Sequence, residues 1–272
     1  ITLPDGRPVF GGTYFTKVQW TKILEDISTL YKNDPDKVIG YAERLTEGVQ
    51  NSGLITINKE DLQFNSEALE TMVNLWESSL DFQRGGQKRA PKFPMPNNLN
   101  FLLRYSFQYE NKNLQEYVLT SLDKMANGGI YDQIGGGFSR YSVDDRWHVP
   151  HFEKMLYDNA QLVSLYANAY QLTQKESYKI VVIETLDFID RELTQEDGAF
   201  YSSLDADSKT KSGELEEGVF YVWTKEELQT VLKSDFEIFK AYYNVNTTGK
   251  WEKNHYILYK TKTNSEFLTA YN

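Results

Sequence analysis

The sequence has no cysteine. Disulfides, thiolate-held zinc and a thiol nucleophile are therefore excluded within this chain. Histidine is scarce, three residues in 272. No run of about 18 consecutive apolar residues occurs, so no membrane-spanning helix is expected. Positive charge is in deficit: 29 Lys and Arg against 39 Asp and Glu give a net charge of −10. That balance argues against nucleic acid as a partner, since binding the phosphate backbone needs a positive surface. The chain opens at Ile1 and not at Met, so a fragment or processed product is expected. The compartment is left open, with the cytoplasm favoured.

What is present is aromatic. Nineteen Tyr, 15 Phe and five Trp make 14% of the chain, within a composition of 40% hydrophobic and 25% charged residues. Tyr and Trp join an apolar face to a polar edge. That suits a sugar-binding cleft, and it equally suits the packing of aromatic-rich helices. The length allows one large or two modest domains.

The chain reads as helical hairpins in series. Pro4-Asp5-Gly6 is a turn between two short strand-like pieces. Trp20, Ile23, Leu24, Ile27, Leu30 and Tyr31 then recur at helical spacing, and Asp34-Pro35 starts a second helix through Val38, Ala42 and Val49. Leu54 to Asp61 reads as extended or irregular. Ser66 opens a helix carrying Leu69, Val73 and Trp76. Residues 82–96 are polar, locally basic and rich in Gly and Pro; they suit a solvated connector or a loop meeting a polar ligand. Helices are expected at 97–110, 113–127, 150–172 and 175–193. A strand at Val219–Val222, short helices at Lys225–Leu232 and 235–243, and an extended segment from Trp251 to Tyr259 follow. Short αα-hairpins in series are the signature of a bundle, solenoid or toroid.

Gly128 to Asp158 is the stretch around which the rest is organised. It holds five of the 17 glycines and two of the three histidines. Gly135-Gly136-Gly137 lacks the Lys-Ser/Thr of a phosphate loop and a βαβ setting, so its glycines supply backbone freedom beside a cleft. Arg140, Tyr141, Asp144, Asp145, Arg146 and Trp147 would line that cleft. Pro150 suits a first helical turn. His151 and Glu153 would then sit where a carboxylate is favoured and an imidazole stays neutral. His151 beside Glu153 or Asp158 is a proton-transfer pair, or else a capping His among surface salt bridges. His151 and Glu153 do not have helical metal-ligand spacing. Asp205 and Asp207 are a second acidic pair, of the kind glycoside chemistry uses and of the kind that also simply makes turns.

The strings GGIYDQIGGGFSRYSVDDRWHVPHFEKMLYDNA, FYSSLDADS and EEGVFYVWTKEEL resemble the YyaL-type family, relatives of spermatogenesis-associated protein 20. The resemblance covers roughly residues 90–225, with weaker support on both sides. LPDGRPVFGGTYF is similar to the end of that family's N-terminal thioredoxin-like domain. The resemblance implies a mainly α fold: an incomplete α/α toroid, similar to six-hairpin glycosidases and sugar 2-epimerases, with small β segments. It further implies that residues 1–52 are a remnant of the thioredoxin-like domain with linking helices, and that 53–272 are part of the toroid. The loop from Gly128 and the segment at Asp205 would meet at the toroid's mouth. Ser139 stands where relatives often have His; were that His the acid–base group, His151 would be the remaining candidate.

The expected activity is acid–base chemistry of the sugar epimerase or glycoside hydrolase kind. His151, Glu153, Asp158 and Asp205 are its catalytic candidates. Arg140, Tyr141, Trp147, His148, Asp132 and Asp207 are the candidates for binding a saccharide or another polar small molecule. No cofactor and no metal are expected, and the remaining partner is the rest of the chain itself. The alternative is a non-catalytic docking module serving the thioredoxin-like domain.

Overall fold

The chain is mainly helical with small β segments in the computed structural model, which describes residues 1–53 and 65–271. The segment expected at Leu54–Asp61 lies outside the described residues. Two units separate, Ile1–Ser66 and Glu67–Asn272.

In the first unit, helix α1 (Lys17–Asn33) starts at Thr16. The Thr16 hydroxyl accepts the Gln19 amide while the Gln19 side chain bonds back to the Thr16 backbone, a reciprocal cap. Asp34 closes α1 and caps α2 (Pro35–Ser52), with Pro35 in the first turn. The Pro4-Asp5-Gly6 turn forms, with Gly6 at φ +91°. The flanking pieces make only a single bridge, Thr2 to Pro8, and not two strands. Two strands without a third are marginal, and here Leu3 and Val9 are held by packing on Val38 and Ala42 of α2.

The second unit is built on two helical hairpins. Helix α4 (Pro96–Gln108) turns into α5 (Lys112–Asn127), and α6 (Leu156–Thr173) into α7 (Glu176–Phe188). Helices α4 and α6 pack side by side, an arrangement consistent with part of an α/α toroid. Leu102, Leu114, Leu122, Leu162 and Tyr166 fill the interface, joined by Val73 of α3 (Ser66–Glu77). Burying five such side chains contributes roughly 1.5–3 kcal/mol each before chain entropy is subtracted. Beyond α7 the helix widens into a π turn, Ile189–Leu193. Helices α8 (Lys225–Leu232), α9 (Phe236–Tyr242) and α10 (Asn264–Tyr271) complete the described helices. Thr224 caps α8 through a second reciprocal cap with Glu227. The strand expected at Val219–Val222 lies slightly later, at Trp223–Thr224. Helix α10 falls in a region that gave no helical signal.

Four short antiparallel pairs stitch the loops. They are β1 (Tyr141–Ser142) with β2 (Pro150–His151), β3 (Lys154–Met155) with β4 (Ser203–Leu204), β5 (Asp207–Lys209) with β6 (Leu215–Glu217), and β7 (Trp223–Thr224) with β8 (His255–Tyr256). The expected helix from Pro150 therefore starts six residues later, at Leu156. Residues 150–155 stay extended because they find backbone partners elsewhere. The Arg140 amide donates to Glu153 O at 2.9 Å, and the Leu156 amide to Ser202 O at 2.9 Å. His151 and Glu153 are thus on strands and a linker, not in a helical turn.

Residues 82–96 are exposed over much of their length, as a connector would be, but the segment is anchored at buried points. Lys92 is fully buried and binds Asp81 at 2.8 Å and the Gly85 carbonyl at 2.7 Å. The loop wraps an anchor from the Gly128–Asp158 stretch: the Trp147 indole N–H donates to Arg84 O at 2.9 Å.

Candidate functional site

The triple glycine is shaped by α7. Gly136 and Gly137 both have positive φ, +73° and +79°. A Cβ on Gly136 would lie 2.4 Å from Glu184 O, and one on Gly137 2.4 Å from the Phe188 ring. Only glycine allows this backbone and this approach. The loop so pressed against α7 presents Asp132. Its Oδ1 accepts the amides of Ile134 (3.0 Å) and Gly135 (2.9 Å), and its Oδ2 receives the Lys154 ammonium at 2.8 Å. Lys154 also donates to Gly136 O at 2.8 Å, and its Nζ lies 4.4 Å from the Phe188 ring centre and 4.8 Å from that of Tyr221. Burial raises the Asp132 carboxyl, but the Lys154 charge and the two amides outweigh it and hold the group below its ordinary value. Two acceptors on one ε-nitrogen suit the ammonium form.

Phe152 and Lys154 are buried while Glu153 and Met155 are partly exposed. Successive side chains of an extended segment point to opposite sides. Glu153 accordingly turns away from Asp132 and meets Arg140 at 3.2 Å. There His151 Nδ1 lies 2.7 Å from Glu217 Oε1, and His151 Nε2 lies 3.9 Å from Glu153 Oε2. Tyr141 stacks on the imidazole with ring centres 4.9 Å apart, and Phe93 lies against Tyr141 at 4.8 Å. Asp158, in the first turn of α6, completes the group. Burial and the neighbouring Glu153 raise its carboxyl above the ordinary value, with the attraction of Arg140 opposing. Its Oδ2 is buried without a hydrogen-bond partner among the described residues.

The structure thus brings together His151, Glu153, Asp158, Arg140 and Tyr141. Tyr141 presents its ring to His151, so it orients the imidazole. Trp147 does not stack on a ligand: it is fully buried, at φ +64°, with its indole spent on Arg84. His148 is also buried, against Tyr259, and burial lowers its basicity. Asp132 lies on the other side of the extended segment, with Lys154. Asp205 is exposed and its carboxylate accepts the Asp207 amide at 3.1 Å, a local turn. Asp207 is exposed and pairs through its backbone with Glu217.

Two participants escaped the sequence reading. Glu217 sits in a stretch that reads as hydrophilic loop; nothing local signals that β5 and β6 would carry it to His151. Lys154 did carry a signal, the alternation Phe152-x-Lys154-x-Leu156, which is strand-like and puts the lysine on the apolar side. Among the described residues no three His, Asp or Glu side chains converge as metal ligands. No described helix is long and apolar enough to cross a membrane.

No family model matches the chain. Human spermatogenesis-associated protein 20 is 37% identical over 241 residues, covering 84% of this chain and 31% of that protein. The mouse protein of the same name is 36% identical, covering 84% and 30%. An uncharacterized Caenorhabditis elegans protein is 31% identical, covering 98% and 40%. The chain spans about a third of the length of the mammalian relatives it matches. Among solved structures, a sugar epimerase from a ruminal bacterium is similar at 15% identity and a TM-score of 0.45, covering 62% of this chain and 47% of that one.

Proposed function

The chain belongs to the spermatogenesis-associated protein 20 family, and on that premise we propose that the His151 cluster performs acid–base chemistry on a saccharide or another hydroxyl-rich small molecule. The observation that carries this reading is the imidazole held between two carboxylates, Glu217 at 2.7 Å and Glu153 at 3.9 Å. Glu217 accepts the Nδ1 proton and so selects the tautomer whose Nε2 is free to take a proton from carbon or from a hydroxyl. Asp158 holds its proton more firmly than an ordinary aspartate, which suits it to give one back. Arg140, fixed by Glu153, has donors to spare for a ligand hydroxyl or carboxylate. Epimerase-like transfer at a sugar carbon and acid-assisted hydrolysis both use these parts. In the same proposal residues 1–52 end a thioredoxin-like domain and residues 53–272 belong to an α/α toroid.

The test uses the full-length protein. It is incubated in deuterated buffer with N-acetylglucosamine, with glucose and with cellobiose, and followed by proton NMR. Solvent deuterium entering at C2, or a new reducing end, is the expected result, and His151→Ala abolishes it. If no sugar exchanges or is cleaved, the acid–base reading is lost.

A docking role is the second reading. It is favoured by the openness of the cluster, where the His151, Glu153 and Glu217 side chains keep 29, 26 and 47% of their exposure. A full-length protein that bound a protein partner through this face, and no sugar, would establish it.

A further inference from the structure

On the far side of the extended segment from His151 lies a cleft of about 350 Å³. Its floor is the Asp132–Lys154 pair. One rim is the π turn, carrying Arg191 and Glu192; the other is Phe220, Tyr221 and Trp223. We propose that this cleft is a second ligand site, for a neutral, hydroxyl-bearing ring with one apolar face.

Three observations set the ligand class. First, the charges in the cleft cancel. Asp132 is bonded to Lys154, and Arg191 Nε donates to Glu192 at 2.8 Å. A net ionic ligand would gain attraction from one member of each pair and repulsion from the other, whereas hydroxyls both donate to the carboxylates and accept from the cations. Second, the apolar wall is open to solvent. Phe220 is 73% exposed and stands edge-on to Tyr221 at 5.1 Å. An exposed aromatic beside a concave polar floor is the usual pairing of stacking face and orienting groups in a small-molecule site. Third, the opening is structurally maintained. Arg191 is fixed by donation to Gly135 O at 2.7 Å, and a Cβ on Gly135 would fall 2.8 Å from Asp132 Oδ2. The helix widens into its π turn at the point that puts Arg191 and Glu192 on the rim, a deviation frequent at functional sites. Phe152, buried and stacked on Tyr221 at 5.9 Å, shares the cleft side of the extended segment with Lys154, whereas His151 and Glu153 take the other side. The inference is therefore independent of the acid–base reading.

The experiment is a calorimetric titration of the full-length protein, with Trp fluorescence as a second readout. Methyl β-D-glucopyranoside is the neutral ring, D-glucuronate the anion and tetramethylammonium the cation. Saturable binding of the glucoside, at least fivefold tighter than either ion, is expected. Phe220→Ala and Glu192→Gln each weaken it at least fivefold, and both sites are exposed enough for the fold to survive, as a thermal melt will check. His151→Ala leaves the affinity unchanged. Absence of glucoside binding, preference for either ion, or equal affinity in both cleft variants overturns the proposal. So does loss of binding in His151→Ala, which would move the ligand to the other side.

Discussion

His151 and Glu217 are 66 residues apart in sequence and 2.7 Å apart in space. The contact depends on two strand pairs, β1–β2 placing the imidazole and β5–β6 the carboxylate. Both side chains are partly open to water, so the pair contributes at most about 1 kcal/mol to stability. In the proposed acid–base reading its importance is chemical: it selects a tautomer.

Glu217→Gln should accordingly leave the melting temperature nearly unchanged and lower turnover by roughly 10–10²-fold, with His151→Ala lowering it by roughly 10²–10⁴-fold. The double variant should be no worse than His151→Ala alone, because the carboxylate acts through the ring. Turnover measured alongside thermal melts checks this. Additive losses would show that Glu217 works independently of His151.

Lys154 and Asp132 form the opposite case, a pair taken out of water. Removing one partner of a buried pair costs about 3–5 kcal/mol, because the other is left charged and unpaired. Lys154→Met should lose that much in urea unfolding, and Lys154→Met combined with Asp132→Asn should recover more than half. The pH dependence follows from Asp132. Its folded value is depressed, so its contribution is fully present above the ordinary aspartate value of about 3.9 and is lost as pH falls through the lower folded value. Asp132→Asn should flatten that acid limb. An unchanged limb would place the acid-sensitive group elsewhere.

Periodicity made the helices legible and left the loops obscure. The stripe at Val38 and Ala42 marks a face that does pack. Caps such as Asp34-Pro35 and Thr224-x-x-Glu227 locate helix starts closely, since their hydrogen bonds are local. Pro150 misled because proline is as compatible with a short edge strand as with a first helical turn. What decides between them is the pairing of residues 150–155 with Tyr141 and with Ser203, and no local pattern encodes a partner 50 residues away. The site divides on the same line. Arg140, His151, Glu153 and Asp158 are close in sequence and meet; Glu217 joins only through tertiary pairing. Asp205 is exposed and accepts an amide in a local turn, and Trp147 is buried in the core. The composition of Trp147 and its neighbours suggested a ligand platform, but an indole ring with one donor is also a well-suited core anchor when a carbonyl such as that of Arg84 is within reach.

That role for Trp147 is testable. Trp147→Ala removes a fully buried ring and should cost about 3–5 kcal/mol. Trp147→Phe keeps most of the volume but leaves Arg84 O without its donor, at about 1–3 kcal/mol. Neither should change ligand affinity in protein that remains folded. Urea unfolding and a binding assay below the transition separate the two effects. A Trp147→Phe protein of native stability but weakened affinity would restore it as a ligand contact.

Asp158 gives the pH signature of the His151 cluster. Its carboxyl is raised by burial and by Glu153, against the pull of Arg140. Between about 3.9 and that raised folded value the native state keeps a proton that the unfolded chain has released. Stability should therefore fall as pH rises through this window, opposite in sign to the Asp132 effect, and Asp158→Asn should remove the slope. Activity should follow the same group: if Asp158 returns the proton, turnover declines as pH rises through its folded value. Asp158→Asn should then show a low rate with no such alkaline limb, and Arg140→Met should move the limb to higher pH by removing the one attraction that favours the carboxylate. A wild-type limb surviving in Asp158→Asn would assign the proton donor to another side chain, with Glu153 next in reach of His151 at 3.9 Å.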